Sequence, residues 1–311
     1  MRRLTQEHRI YQFSRHDRPA IEVEPGETLL VETIDSFDGQ FDLSRPRTFD
    51  VGASLDDTTV DLHRALPMTG PIHVRGAEPG DVVVAQLLGV VATGNAFSAV
   101  FPGFTRVLPG EAVPAGERWT VSVLELRRGK IQLAPDVQLP YHLMVGSLGV
   151  APAGEPAETI TPGAYGGNHD CTLFAQGAQL YLQVQVPGAL ISLGDVHAAM
   201  GDGEGAGTAV ECAGEVTLHV HLYKRQRLPC PVLETANEWV VYGWGRQVDE
   251  AMAMAKNHTI QLLTEHLGMR YNDTHNLLAA VGHLRANEVV NPLCSARVEL
   301  PKAVIDPLLG F

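Results

Sequence analysis

Over most of the first 245 residues, apolar positions alternate with polar ones or gather into short blocks. Thr28 to Ile34, Val82 to Leu88, Trp119 to Leu126, Tyr181 to Val186 and Glu215 to Tyr223 are β-branched or two-residue periodic, with proline and glycine between them. That pattern predicts strands. Leu126 to Leu133 sets Arg127, Arg128, Gly129 and Lys130 between two apolar runs, which predicts a hairpin with glycine supplying a positive φ. Three Pro-Gly pairs, at 25–26, 79–80 and 187–188, stand before strands. Proline fixes φ and glycine permits the reversed one, so each pair predicts a turn. Glu27 and Asp81 directly follow two of these pairs and read as turn residues, not catalytic carboxylates.

After Gly245 the period lengthens. Val248, Met252, Ala255, Thr259, Leu262, Leu263 and Leu267 recur at helical spacing, and Gly268 stands where an αL cap would end the helix. A second helix is expected from an N-cap at Asn272 or Asp273, with Leu277, Leu278, Val281 and Leu284 on one face. The expected fold is therefore mainly β, built of sandwich or barrel elements, with a helical C-terminal segment, α+β overall. Residues 1–245 would form the β-rich body and 246–311 a helical segment packed on it in one continuous unit.

Composition narrows the function classes. The 311 residues are 45% hydrophobic and 19% charged, ordinary for a globular protein. No run reaches the roughly 18 apolar residues of a membrane span, and the first residues carry charge but no apolar signal core, so a cytoplasmic protein is expected. A formal net charge of −13 repels phosphate backbones, which predicts no nucleic-acid partner. Cys171, Cys212, Cys230 and Cys294 lack C-x-x-C spacing and suit buried, reduced thiols.

Candidate chemistry concentrates in Gly194 to Glu204, GDVHAAMGDGE, which sets Asp195, His197, Asp202 and Glu204 on a glycine-rich backbone. Carboxylate oxygens and imidazole nitrogens are the donors that divalent cations take. Upstream, Tyr165 to Asp170 presents Asn168, His169 and Asp170, and downstream Glu211 adds another acid. The two short strands between these loops can bring Asp170 and Asp195 to one end of a sheet, where only a cation would neutralise them. The spacing fits neither an EF-hand nor a P-loop, and HExxH and GxSxG are absent. His219 and His221 share a strand face, but an amphipathic strand explains them without a metal. Cys171 would point away from Asp170 on a strand, so a buried inert thiol is expected there.

At these residues the sequence resembles the acetamidase/formamidase family. The matching segments fall in family order: VEPGETLLVET at 23–33, TGPIHVRGAEPGDVV at 69–83, GGNHD at 166–170, GALISLGDVHAAMGDGE at 188–204 and LRANEVV at 284–290. The resemblance implies hydrolysis of a small linear amide to carboxylate and ammonia, a β-rich fold, a bound divalent metal, and a homo-oligomer, dimer or trimer. Asp170, Asp195, His197 and Glu211 would hold a zinc or calcium ion. Glu204 would act as general base, Asn168 would donate to the developing oxyanion, and Asp202 would be a further acid of the catalytic group. The competing functions are a non-catalytic metal-containing protein that binds a small ligand, and a metal-dependent lactam or ester hydrolase. Two segments depart from the family pattern: Phe13 to Asp17 replaces a Trp-Asp-Asn-like stretch, and His169 replaces a methionine. With His169 and Arg15 lining the pocket, they would predict a substrate larger or more polar than acetamide.

Overall fold

A computed structural model describes residues 1–50, 60–100, 118–306 and 308–309. Strands dominate, and one 20-stranded sheet takes in all the described strands except a separate pair. Its spine is the antiparallel pair Val82–Val100 and Val210–Tyr223, which runs from Val82 opposite Tyr223 to Phe97 opposite Glu211 with register shifts between Thr217 and Leu218 and between Cys212 and Ala213. The run from Val82 to Leu87 does not alternate because both its faces are covered. Val83, Ala85 and Leu87 join a core with Leu29, Val31, Val216 and Leu218, while Val82 and Val84 meet Trp239, Leu262 and Leu263 on the other side. Beyond Leu87 the second cover ends, and Leu88 and Val91 are exposed.

Val210–Tyr223 also pairs with Thr28–Thr33, and its first residues pair with Ile191–Ala199. Ile191–Ala199 lies antiparallel to Met144–Gly149 and meets Met68–Val74 at its start. This four-way junction carries the site. The Pro-Gly turns form as expected: Gly26 and Gly80 have φ of +90° and +96°, and Glu27 N–H donates to Glu24 C=O and Asp81 N–H to Glu78 C=O, both at 3.0 Å. The Arg128-Gly129 hairpin turn is likewise left-handed at both residues.

Helix α1, Val248–Glu265, buries Ala251, Ala255, Thr259, Leu262 and Leu263. Gly268, at φ +62°, ends the turn, and Met269 N–H reaches back to Leu263 C=O at 3.2 Å. Helix α2, Tyr271–Val281, starts after Arg270, with Asp273 inside its first turn rather than at its cap. Leu284 is not on that helix. Gly282 closes the last turn, and His283–Glu288 and Cys294–Pro301 return to the sheet as strands, the latter paired with Glu238–Gly245. Leu284 lies three residues after Val281 and so mimics helical spacing, but after Gly282 the burial follows strand pairing. Among the described residues no helix is long and apolar enough to cross a membrane.

Candidate active site

Ile191–Ala199 is buried along nearly its whole length, and its polar members are Ser192, Asp195 and His197. Asp195 and His197, two apart, point to the same face. The ladder slips between His197 and Ala199, and His197 lies directly opposite Glu211. His197 Nε2 is 3.2 Å from Asp195 Oδ1, 3.3 Å from Glu211 Oε2 and 4.0 Å from Asp170 Oδ1. Asp170 arrives from the loop after Gly166–Asn168, its N–H bonded to Gly146 C=O at 3.2 Å. Glu204 arrives from the GDGE turn, held by its N–H to Gly201 C=O at 3.1 Å. Potential ligand atoms of Asp170, Asp195 and His197, and of His197, Glu204 and Glu211, lie within 4.8 Å of one another in two groups that share the imidazole.

Backbone strain marks the same residues. Asp170, Asp195 and Glu204 have φ of +45°, +61° and +46°. Residues with a Cβ are rarely held there unless the surroundings over-determine them, and such residues collect at functional sites. Gly146 shows how close the packing is: a Cβ there would fall under 3.0 Å from both Asp170 Oδ1 and Asp195 Oδ2.

Electrostatics set the charge balance of the cluster. Burial pushes the Asp170 carboxyl well up, and Glu204 and Asp195 push it further while His197 pulls it down. Burial likewise raises Asp195 and Glu204 against the pull of His197. Burial opposes the Glu211 charge too, but His197, the Ala209 N–H and the Ser36 hydroxyl together hold that carboxyl below its usual range. His197 itself is disfavoured as a cation by burial, yet Glu211 and Asp195 hold its pKa well above the ordinary value. One imidazolium cannot balance four buried acids. Among the described residues, Asp170 Oδ1 and Glu211 Oε2 are buried without a hydrogen-bond partner. A divalent cation fits this donor set, since it would replace the protons that the raised carboxyls otherwise retain.

The other expected site residues lie at the edge of the cluster. Asn168 directs its Nδ2 to Asp170 Oδ2 at 2.6 Å, so its donor steadies a carboxylate. Asp202 belongs to neither ligand group: Arg297 and Thr172 each donate to it at 2.8 Å, which turns its carboxylate away from the cluster and into an ion pair. Asp81, read as a turn residue, is also buried, and it pairs with Lys224 at 2.5 Å. His169 belongs to neither ligand group and does not line the cleft beside Glu204. It is buried, stacked on Tyr242 at 4.3 Å between ring centroids, with Nδ1 2.9 Å from Ser295 Oγ. Burial pushes its pKa down to about 3, so the ring is neutral. Arg15 is exposed and donates to Ala153 C=O at 2.9 Å. His219 bonds Thr28 at 2.7 Å and, with His221, stays outside both ligand groups. Cys171 is buried, and burial raises its pKa.

Sequence reasoning missed Glu288. It is fully buried at the end of His283–Glu288, and its charge acts on both Asp170 and Glu204. Its Oε2 accepts from Val290 N–H and Asn291 N–H, both at 3.1 Å, and Gly203 bridges to it from the GDGE turn. The available signal is a lone acid between Asn287 and two valines in LRANEVV, within the stretch expected to be helical. Beside Glu204 opens a cleft of about 410 Å³, lined by Leu133, Leu139, Met200, Val210 and Thr208 among others.

Known proteins place this architecture. The Acetamidase/Formamidase family matches residues 4–156 and 98–306. The crystal structure of a predicted acetamidase/formamidase from Thermoanaerobacter tengcongensis is 33% identical, with a TM-score of 0.88 over 98% of this chain and 96% of that one. The acetamidase structure from Bacillus halodurans is 31% identical, with a TM-score of 0.89 over 99% and 100%. The acetamidase of Mycolicibacterium smegmatis is 28% identical over 66% of this chain, and the match spans 63% of that enzyme's length. By sequence and by fold, the chain belongs to the acetamidase/formamidase family.

Proposed function

We propose that this protein hydrolyses a small linear amide to a carboxylate and ammonia with the help of a divalent cation. Asp170, Asp195, His197 and Glu211 would hold the ion. The observation that carries this reading is the excess of buried carboxylates around one imidazole, with Asp170, Asp195 and Glu204 in a left-handed backbone conformation. One nitrogen and several carboxylate oxygens suit zinc and calcium by ligand type. When bound, the cation supplies Lewis-acid polarisation of the amide carbonyl and lowers the pKa of water.

The chain's own groups handle the protons. Glu204 belongs to the cluster and also lines the cleft, so its carboxylate can meet a substrate and a water together. It takes the proton as the water oxygen bonds to the carbonyl carbon. It then returns that proton to the nitrogen as the C–N bond breaks and ammonia leaves. Burial, which raises its pKa, makes it a better proton acceptor than an exposed carboxylate. Asn168 fixes the orientation of Asp170. Leu133, Leu139 and Met200 make one wall of the cleft apolar, which suits an aliphatic acyl group. The test is ammonia release from formamide, acetamide and longer amides, beside matched esters. Turnover of the amides is expected; turnover of esters alone, or of neither, would reject the reading.

A further inference from the structure

Arg297 is a full-length cation with 2% exposure, set on the strand Cys294–Pro301 between Glu238–Gly245 and His283–Glu288. Its guanidinium makes four bonds: Nη2 to Asp202 Oδ2 at 2.8 Å, Nε to Glu299 Oε1 at 2.8 Å, and Nη1 to Asn287 Oδ1 at 2.6 Å and Ala286 C=O at 3.2 Å. The network continues at both ends. Asp202 accepts from Thr172 at 2.8 Å, while Asn287 donates to Ser295 Oγ at 2.8 Å, which in turn bonds His169.

Each of these partners except Ser295 and Glu299 sits within two residues of a cluster carboxylate, and together they fall on three separate segments, two loops and the strand His283–Glu288. His169 and Thr172 flank Asp170, Asp202 precedes Glu204 by two positions, and Ala286 and Asn287 precede Glu288. Two backbone bonds complete the brace, from Gly203 N–H to Asn287 C=O at 2.7 Å and from Val289 N–H to Gly203 C=O at 3.2 Å. Asp170, Glu204 and Glu288 repel one another, and two of them hold a left-handed backbone, so their loops would drift apart without an opposing tie. A planar fork of fixed donors is the group best suited to hold three segments at set distances.

We infer that Arg297 is the positioning residue of the active site, and that it sets the spacing of Asp170, Glu204 and Glu288 through Asp202, Asn287 and Thr172. Arg297 touches none of the cluster's ligand groups and acts through these neighbours. The inference rests on the proposed amide hydrolysis with Glu204 as the proton carrier. It also makes His169 the last link of the brace, through its bond to Ser295.

Asp202→Asn is the informative variant, because its side chain is 37% exposed and the amide oxygen keeps an acceptor for Arg297 while the charge is lost. It should lower kcat about tenfold with KM within about twofold, since a displaced base affects the transition state more than substrate binding. Hydrogen exchange should quicken at the amides of 203–207 while those of the Cys294–Pro301 strand stay protected. Arg297→Lys, which keeps the charge but loses the fork, should show the same pair of changes. Unchanged kcat in Asp202→Asn, or a loss of kcat without the local change in exchange, overturns the inference. Should the unmodified protein release no ammonia from any amide, the functional reading fails first. The exchange result then still decides whether the brace holds the loop.

Discussion

Gly146→Ala adds a single methyl group between the two carboxylates that matter most. Gly146 has an ordinary negative φ, so alanine adds no backbone strain, and the whole effect comes from the new Cβ. That Cβ would sit under 3.0 Å from Asp170 Oδ1 and from Asp195 Oδ2, with Asp195 Cγ at 3.1 Å. An ordinary contact needs about 3.5 Å, so each oxygen must retreat by at least about 0.5 Å. Preorganised sites tolerate about that displacement, and about 1 Å costs on the order of 100-fold in rate. A loss of tenfold to 100-fold in kcat/KM is therefore expected, which corresponds to about 1.4 to 2.7 kcal/mol. Metal content of the purified protein should fall with it, because both displaced groups are proposed ligands. Gly89→Ala is the control, since its Cβ would meet Thr217 at an ordinary 3.6 Å. The assays are ammonia release, elemental analysis and thermal unfolding of both variants. Gly146→Ala with unchanged activity and metal content would refute the reasoning.

Glu204→Gln should keep its metal while kcat falls by about 10²- to 10⁴-fold, the usual range for a lost general base; elemental analysis and ammonia release on one preparation check both halves. Met200→Trp narrows the cleft and should cut kcat/KM for longer amides more than for formamide, by about 1 to 3 kcal/mol per excluded methylene, read from a chain-length series. Asp81→Asn tests a structural acid. Burial favours its neutral form, but Lys224 and the N–H groups of Arg225 and Glu78 hold the carboxyl below the ordinary 3.8. A depressed carboxyl adds stability above its unfolded pKa and loses it as pH falls through the folded value. Urea unfolding should therefore show a gap of about 1 kcal/mol at pH 7, after allowing for the exposure of Lys224, that closes below about pH 4.

What could be read from the sequence was local. The Pro-Gly turns at Gly26 and Gly80 depend on two adjacent residues, and helix α1 depends on a repeat within one segment. Asp195 and His197 share a face because a strand alternates, so their proximity follows from spacing alone. Other features depend on pairing that no local window contains. Asp202 and Glu204 lie two residues apart and look alike in sequence. Arg297, 95 positions from Asp202, draws that residue into an ion pair and leaves Glu204 facing the cluster. Glu288 stayed hidden for the same reason: its strand returns to the sheet only after two helices, where the spacing of Val281 and Leu284 still looked helical. His169 resembles a site residue in sequence because Asp170 beside it belongs to the cluster, yet its ring stacks on Tyr242 and bonds Ser295.

The central claim is that the Asp170, Asp195, His197 and Glu211 cluster holds a divalent cation that amide hydrolysis requires. It is tested most directly by ammonia release from one good amide substrate before chelation, after chelation, and after zinc or calcium is returned to the same folded sample. The account predicts that activity is lost with the metal and recovered when one of the two ions is restored. Undiminished ammonia release from folded, metal-free protein would contradict it.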